Sequence, residues 1–193
     1  PESVATINSM QDELEKLENV EIRLNTSVRG CYSENWLAMI GPGGMTKMRA
    51  TAVVVATGAY EQPAVFRHND LPGVMLGTAA QRLVHLYRVK PMQRALVLVG
   101  SDYGYGVALD LKAAGVEVAA VADFRETIGK GELVHDVKTA GIEILAGQGV
   151  YEARPAGGLR GIKGARVCPV NSDGTCISKA GTNVNCDGIV MAT

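Results

Sequence analysis

The sequence predicts an α/β fold: a parallel sheet with flanking helices and a β-meander that enters late. Two observations point to the sheet. Apolar runs of strand length alternate with helical patterns along residues 94–146. The helices between them run to about a dozen residues, which suits crossovers between parallel strands. The third observation is the tail, GVYEARPAGGLRGIKGARVCPV and onward, which reads as a meander followed by one last buried strand, DGIVMAT.

The elements follow in order. PESVATINSMQDELEKLENV sets Val4, Ile7, Met10, Leu14 and Leu17 three or four apart, an amphipathic helix ending near Asn19. Short runs at residues 20–24, 28–32 and 36–40 read as antiparallel strands, with a turn at GPGG, residues 41–44. Residues 52–56 are a nearly unbroken apolar run that stops at Thr57-Gly58, as a strand buried on both faces would. FRHNDLPGVM is an irregular connector. Residues 77–87 form a short helix with Thr78 as its N-cap. A strand at 94–99 leads into a helix over about 103–114, with Gly115 just past its end. VEVAAVAD is the next buried strand, GELVHDVKTAG a helix ending at Gly141, and IEILAG a strand.

Composition narrows the function. The chain has 193 residues, 47% of them hydrophobic and 20% charged, as in ordinary globular proteins of one or two domains. Its formal charge of −1 offers no basic field for nucleic acid or an acidic membrane. No apolar run reaches the ~20 residues that cross a bilayer, and no signal segment opens the chain. Cys31, Cys168, Cys176 and Cys186 form no C-x-x-C pair and have only three histidines beside them. Neither a zinc site nor a disulfide scaffold is expected, and four reduced thiols in a cytoplasmic protein are. His68, His85 and His135 show no partner pattern and are read as surface or packing residues. No G-x-S-x-G or H-E-x-x-H motif occurs.

The chemistry concentrates in LVLVGSDYGYGVALDL, residues 96–111. A strand meets Gly100 and a helix follows, where a dinucleotide loop would place a pyrophosphate on the helix N-terminus. The G-x-G-x-x-G fingerprint is broken, because Asp102 and Tyr105 hold the second and third glycine positions while Gly104 and Gly106 are out of register. Gly100 permits the turn, and Gly104 and Gly106 permit close backbone approach. A carboxylate at Asp102 would repel a pyrophosphate, so Asp102 is read as a cap accepting from the N–H of Tyr105; a cap with no ligand is the alternative. Asp123 closes the second strand 23 positions after Gly100, where an acidic residue bonds the ribose hydroxyls in NAD-binding units. Arg125 lies nearby and could accept a 2′-phosphate, which keeps NADP open. VVVATG, with Ala56, Thr57 and Gly58, and the terminal DGIVMAT both end in small residues that let a dinucleotide pass close to the backbone. Tyr103 and Tyr105 either flank a cofactor or pack.

RGCYSENWLAMI, the span from Val53 to Asp123 and GIEILAGQGV together resemble the alpha subunits of heterotetrameric sarcosine oxidases. More broadly they resemble flavoproteins of the pyridine nucleotide-disulfide oxidoreductase type, including hydrogen cyanide synthase and amino-acid dehydrogenase subunits. The resemblance implies a Rossmann-like FAD/NAD(P)-binding fold. It also implies a variant loop of N-D-x-x-Y type, matched by Asp102 and Tyr105, with Ser101 in place of Asn. Gln62 departs from the family's arginine before Pro63. Residues 1–66 would be the later part of an FAD-binding domain, and residues 67–193 the NAD(P)-binding domain of a larger subunit.

The function so implied is the NAD-binding portion of an oxidoreductase subunit that, with the other subunits of a hetero-oligomeric amine oxidase, oxidatively demethylates sarcosine to glycine. FAD would bind the full-length protein only. No residue here is expected to oxidise the amine, and the segment alone is expected to be inactive; its work is binding and orientation. The rival expectations are an NAD(P)H-dependent flavin reductase and a nucleotide-binding module whose cofactor never turns over.

Overall fold

The computed structural model describes residues 2–176 and 181–193. The chain divides into two compact units, Pro1–Gly58 and Ala59–Thr193.

In the smaller unit, helix α1 (Glu2–Glu15) stops short of the expected Asn19. Its apolar row, Ile7, Met10 and Leu14, is exposed. Strands β1 (Ser27–Tyr32), β2 (Trp36–Gly41) and β3 (Gly44–Arg49) form an antiparallel sheet in that order. Gly41 pairs with Gly44 across Pro42-Gly43, and Gly44, the residue after the turn, takes a φ of 97° that favours glycine. Lys47 and Arg49 lie over the Trp36 ring, at 5.5 and 6.0 Å from its centroid. Two expectations are corrected. Residues 20–24 are not a strand, and the third strand is Gly44–Arg49 rather than the apolar run at 52–56. That run is open coil with Val54 and Val55 exposed, because no strand in the described residues pairs with it.

The larger unit holds a five-stranded parallel sheet, ordered β4 (Val74–Leu76), β11 (Gly188–Ala192), β5 (Arg94–Val99), β6 (Glu117–Asp123) and β7 (Ile144–Ala146). Alternation along β5 divides the core in two. Val97 and Val99 pack among residues of α2 (Gly77–His85), α3 (Tyr103–Ala113) and α4 (Glu132–Thr139). Leu96 and Leu98 pack instead with Val150, Ala165 and Val167 of the meander. The meander consists of β8 (Gln148–Pro155), β9 (Ile162–Pro169) and β10 (Thr182–Val184), antiparallel and in sequence order. With both faces covered, β5 reads as an unbroken apolar run, and each buried Val or Leu contributes about 1.5–3 kcal/mol.

Gly115 and Gly141 end α3 and α4 with φ of 79° and 71°, as their place in the sequence predicts. β4 lies inside the segment expected to be irregular; three residues are too few to show a period, and pairing with β11 makes them a strand. Thr78 is not the cap of α2. Glu61 Oε2 accepts from the Thr78 N–H at 2.9 Å and from its hydroxyl at 2.5 Å. The expectation of four free thiols is also corrected. Asn171 Oδ1 accepts from the N–H groups of Asp173 and Thr175, and the chain turns back so that Cys176 meets Cys168 in a disulfide, Cα to Cα 5.8 Å. Cys31 and Cys186 are free, and burial, helped by the Asp187 charge, pushes the Cys186 thiol up to about 11. No helix among the described residues is long and apolar enough to cross a membrane.

Candidate functional site

The residues singled out around the variant loop meet at the C-terminal ends of β5, β6 and β11, the end of a parallel sheet where ligands bind. Gly100 leaves β5, and its N–H reaches the Ala192 carbonyl of β11 at 3.4 Å. Ser101 offers its carbonyl to the Gly104 N–H. The chain then enters α3, whose first N–H groups have no partners within the helix.

Asp102 does not cap α3 with its side chain. It sits in a helical conformation, φ −66° and ψ −22°, rather than the extended one from which a cap side chain reaches back. Only its backbone carbonyl meets the Tyr105 N–H, at 3.2 Å. The carboxylate turns to the next loop instead. Asp102 Oδ1 lies 2.9 Å from an Arg125 terminal nitrogen, and a Cβ added at Gly129 or Gly131 would stand 3.4 Å from Oδ2.

The glycines divide sharply. A Cβ on Gly104 would drive into Val99, 2.6 Å from its Cβ, and stand 3.2 Å from the Ala192 Cβ. Gly104 therefore does the helix-to-strand packing that the fingerprint's third glycine performs, one position early. Its role is packing, not the approach to a ligand read from the sequence. Gly106 has room, with Leu133 at 3.9 Å.

Tyr105, at the third-glycine position, is fully buried and donates its hydroxyl to Asp123 Oδ2 at 2.6 Å. Asp123 is the one buried charged residue among those described. Its Oδ1 accepts from the Arg125 backbone N–H at 2.8 Å and from Nε at 3.1 Å; Oδ2 also accepts from the Arg125 guanidinium at 2.8 Å. These four donors fill the acceptor positions of the carboxylate. A ribose hydroxyl would have to displace one of them, which spacing alone does not reveal. Burial is the largest single influence on the Asp123 carboxyl and pushes it up. The bonds from Arg125 and Tyr105 together outweigh it and hold the group below the usual carboxylate range. The Tyr105 hydroxyl is pushed far up, first by burial and then by Asp123, so it stays a donor.

Ala56, Thr57 and Gly58 belong to the smaller unit and lie in coil there. The other small-residue strand end, Ala192-Thr193, is part of the sheet's C-terminal edge, and the Thr193 hydroxyl donates to the Gln62 carbonyl. Beside it opens a cavity of about 590 Å³ lined by Gln62, Phe66, Arg67, Phe124, Tyr151 and Thr193 among others. His68, His85 and His135 lie outside the cluster, on Ala153, Asp110 and Thr139. No group of three or more metal-ligating side chains gathers among the described residues.

The fold and the strand–turn–helix are those of the Rossmann-like FAD/NAD(P)-binding fold. Solved structures agree on the fold. T. acidophilum thioredoxin reductase matches all of the chain with a TM-score of 0.63 at 14% identity, over 58% of its own length. A NAD-dependent persulfide reductase from A. fulgidus matches 94% of the chain and 33% of its own, with a TM-score of 0.58 at 16% identity. No family model matches the chain. In sequence the chain is similar to the alpha subunit of sarcosine oxidase. It is 31% identical over 178 residues to that of Corynebacterium sp. (strain P-1), and 32% identical over 149 residues to that of Rhizobium meliloti (strain 1021). These matches cover 83% and 67% of the chain but only 18% and 15% of the relatives' lengths. The hydrogen cyanide synthase subunit HcnB of Pseudomonas aeruginosa is 29% identical over 158 residues.

Proposed function

We propose that residues 67–193, within the larger unit, are the nicotinamide-dinucleotide-binding portion of a sarcosine-oxidase-like alpha subunit. In the full protein this portion would work within a hetero-oligomeric amine oxidase that demethylates sarcosine oxidatively to glycine. The observation that carries the reading is the crevice at the strand ends. An anion, the Asp102 carboxylate, already pairs with Arg125 there, beside the N-terminus of α3. That is the setting that receives phosphate in this fold. A bound NAD supplies hydride transfer at its nicotinamide. The chain's own residues would bind and orient it: the start of α3 would face the pyrophosphate, Gly104 keeps α3 against β5, and the Tyr105–Asp123–Arg125 network fixes the loop on which the adenosine ribose would lie.

Residues 53–58 would form one wall of a flavin site in the full-length subunit. Among the described residues they have no neighbouring strand and no phosphate-binding helix beside them, so this chain alone is expected to hold no FAD. The test is calorimetric titration of NAD into the full-length subunit, with absorbance spectra of that subunit and of the 193-residue chain. Saturable NAD binding, with flavin only in the full-length protein, is the expected outcome. No NAD binding overturns the reading. Rapid bleaching of the flavin by NADH under anaerobic conditions would favour the flavin reductase instead.

A further inference from the structure

The structure assigns to Asp102 the choice between NAD and NADP, made by occupying Arg125. This rests on the dinucleotide-binding reading above and adds the residue that selects the ligand. Arg125 is the cationic side chain at the end of β6, where the ribose 2′ position arrives in this fold. Its guanidinium lies between two carboxylates that differ in freedom. Asp123 grips one edge through Nε and a terminal nitrogen, and is wholly buried and saturated, so it cannot leave. Asp102 holds the other terminal nitrogen at 2.9 Å from a side chain that is 50% exposed, on the loop before α3. The Arg125 side chain is itself 34% exposed, so a ligand can reach it.

The charges decide the outcome. Two carboxylates around one guanidinium leave a net negative cluster. A neutral ribose hydroxyl meets no charge repulsion there, whereas a 2′-phosphate meets repulsion and finds the outer edge of Arg125 already paired. Asp102 thus acts as a built-in anion in the place of the phosphate that would distinguish NADP. It is a positioning residue working through Arg125, and its replacement by a neutral group of the same shape frees that edge.

The experiment titrates NAD and NADP separately into the full-length subunit and into its Asp102→Asn and Asp102→Glu variants, by calorimetry, with near-ultraviolet circular dichroism as the check on folding. Wild type is expected to bind NAD more tightly than NADP. Asp102→Asn should raise NADP affinity roughly 10- to 100-fold, the worth of a freed charge-assisted bond, and raise NAD affinity by a clearly smaller factor, through the pyrophosphate that both nucleotides share. Asp102→Glu keeps the charge and should keep NADP weak. If wild type binds NAD and Asp102→Asn leaves the NADP-to-NAD ratio unchanged, or raises both affinities equally, the selector role is overturned while the binding site stands. If neither nucleotide binds wild type, the binding site and the selector fall together.

Discussion

Residues 53–58 and 188–193 carry nearly the same message, VVVATG against GIVMAT, and end in opposite states. In the second, Ile189 and Val190 are completely buried, in a strand held between β4 on one side and β5 on the other. In the first, Val54 is 90% exposed and pairs with nothing described. An apolar run therefore specifies the demand for burial on both faces, and its neighbours decide whether the demand is met. The contrast also separates two sites. The strand end at Ala192-Thr193 borders the proposed dinucleotide crevice, whereas 53–58 has no paired strand among the described residues.

The largest expected effects come from exchanging the two runs' circumstances. Ile189→Ala in this chain should cost about 2–5 kcal/mol by opening a cavity in a closed core, while Val54→Ala should stay within about 0.5 kcal/mol. In the full-length subunit Val54→Ala should become costly as well. Denaturation curves of both variants in both contexts decide the point, and a silent Val54→Ala in the full-length protein would place 53–58 outside any strand.

Next in size is the packing of α3 on the sheet that holds β11. Gly104→Ala sets a methyl group into Val99, which has nowhere to go, and should cost about 1–3 kcal/mol or more. Tyr105→Phe leaves a position on the buried Asp123 unfilled, a loss of about 1–3 kcal/mol at neutral pH. Here the sign with pH is fixed. The Asp123 carboxyl is held below its unfolded value of 3.8, so its contribution is complete above that value and is lost as pH falls through the lower folded one. Tyr105→Phe removes one of the bonds that lower it, so the variant's deficit should shrink in acid. A deficit that stays constant from pH 7 to about 3 would mean the bond does not favour the ionised carboxylate. Smallest is Gly106→Ala, where there is room; a helix-interior glycine replaced by alanine should gain roughly 0.5–1 kcal/mol. Melting curves of the two glycine variants should move in opposite directions.

Local patterns carried much of this fold. The strand–helix–strand from Arg94 to Asp123 was readable almost to the residue, since each element is set by its own apolar period and by Gly115. The short β4 was not readable, because only β11 makes it a strand. Glu61 acts on α2 from 17 positions away, and no local rule announces that. At the site, spacing located Asp123 and Arg125 but misjudged their condition. Asp123 looked like a free acceptor and is saturated; Asp102 looked like a cap and is an ion-pair partner. The causes differ: the Asp102–Arg125 and Tyr105–Asp123 bonds join residues distant in sequence and adjacent only once the parallel sheet has formed, whereas the three Arg125 bonds to Asp123 span two residues and depend on how the chain turns after β6.

The central claim is the proposal that the two small-residue runs, 53–58 and 188–193, serve two different cofactors, and that the one in the larger unit serves the dinucleotide. Amide hydrogen exchange on the full-length subunit tests this most directly, measured with and without NAD and before and after removal of flavin. NAD should slow exchange in residues 100–105 and 124–131 and leave 53–58 unchanged. Flavin removal should release 53–58 and leave 188–193 protected. NAD protection at 53–58 without any at 100–105 would contradict the account.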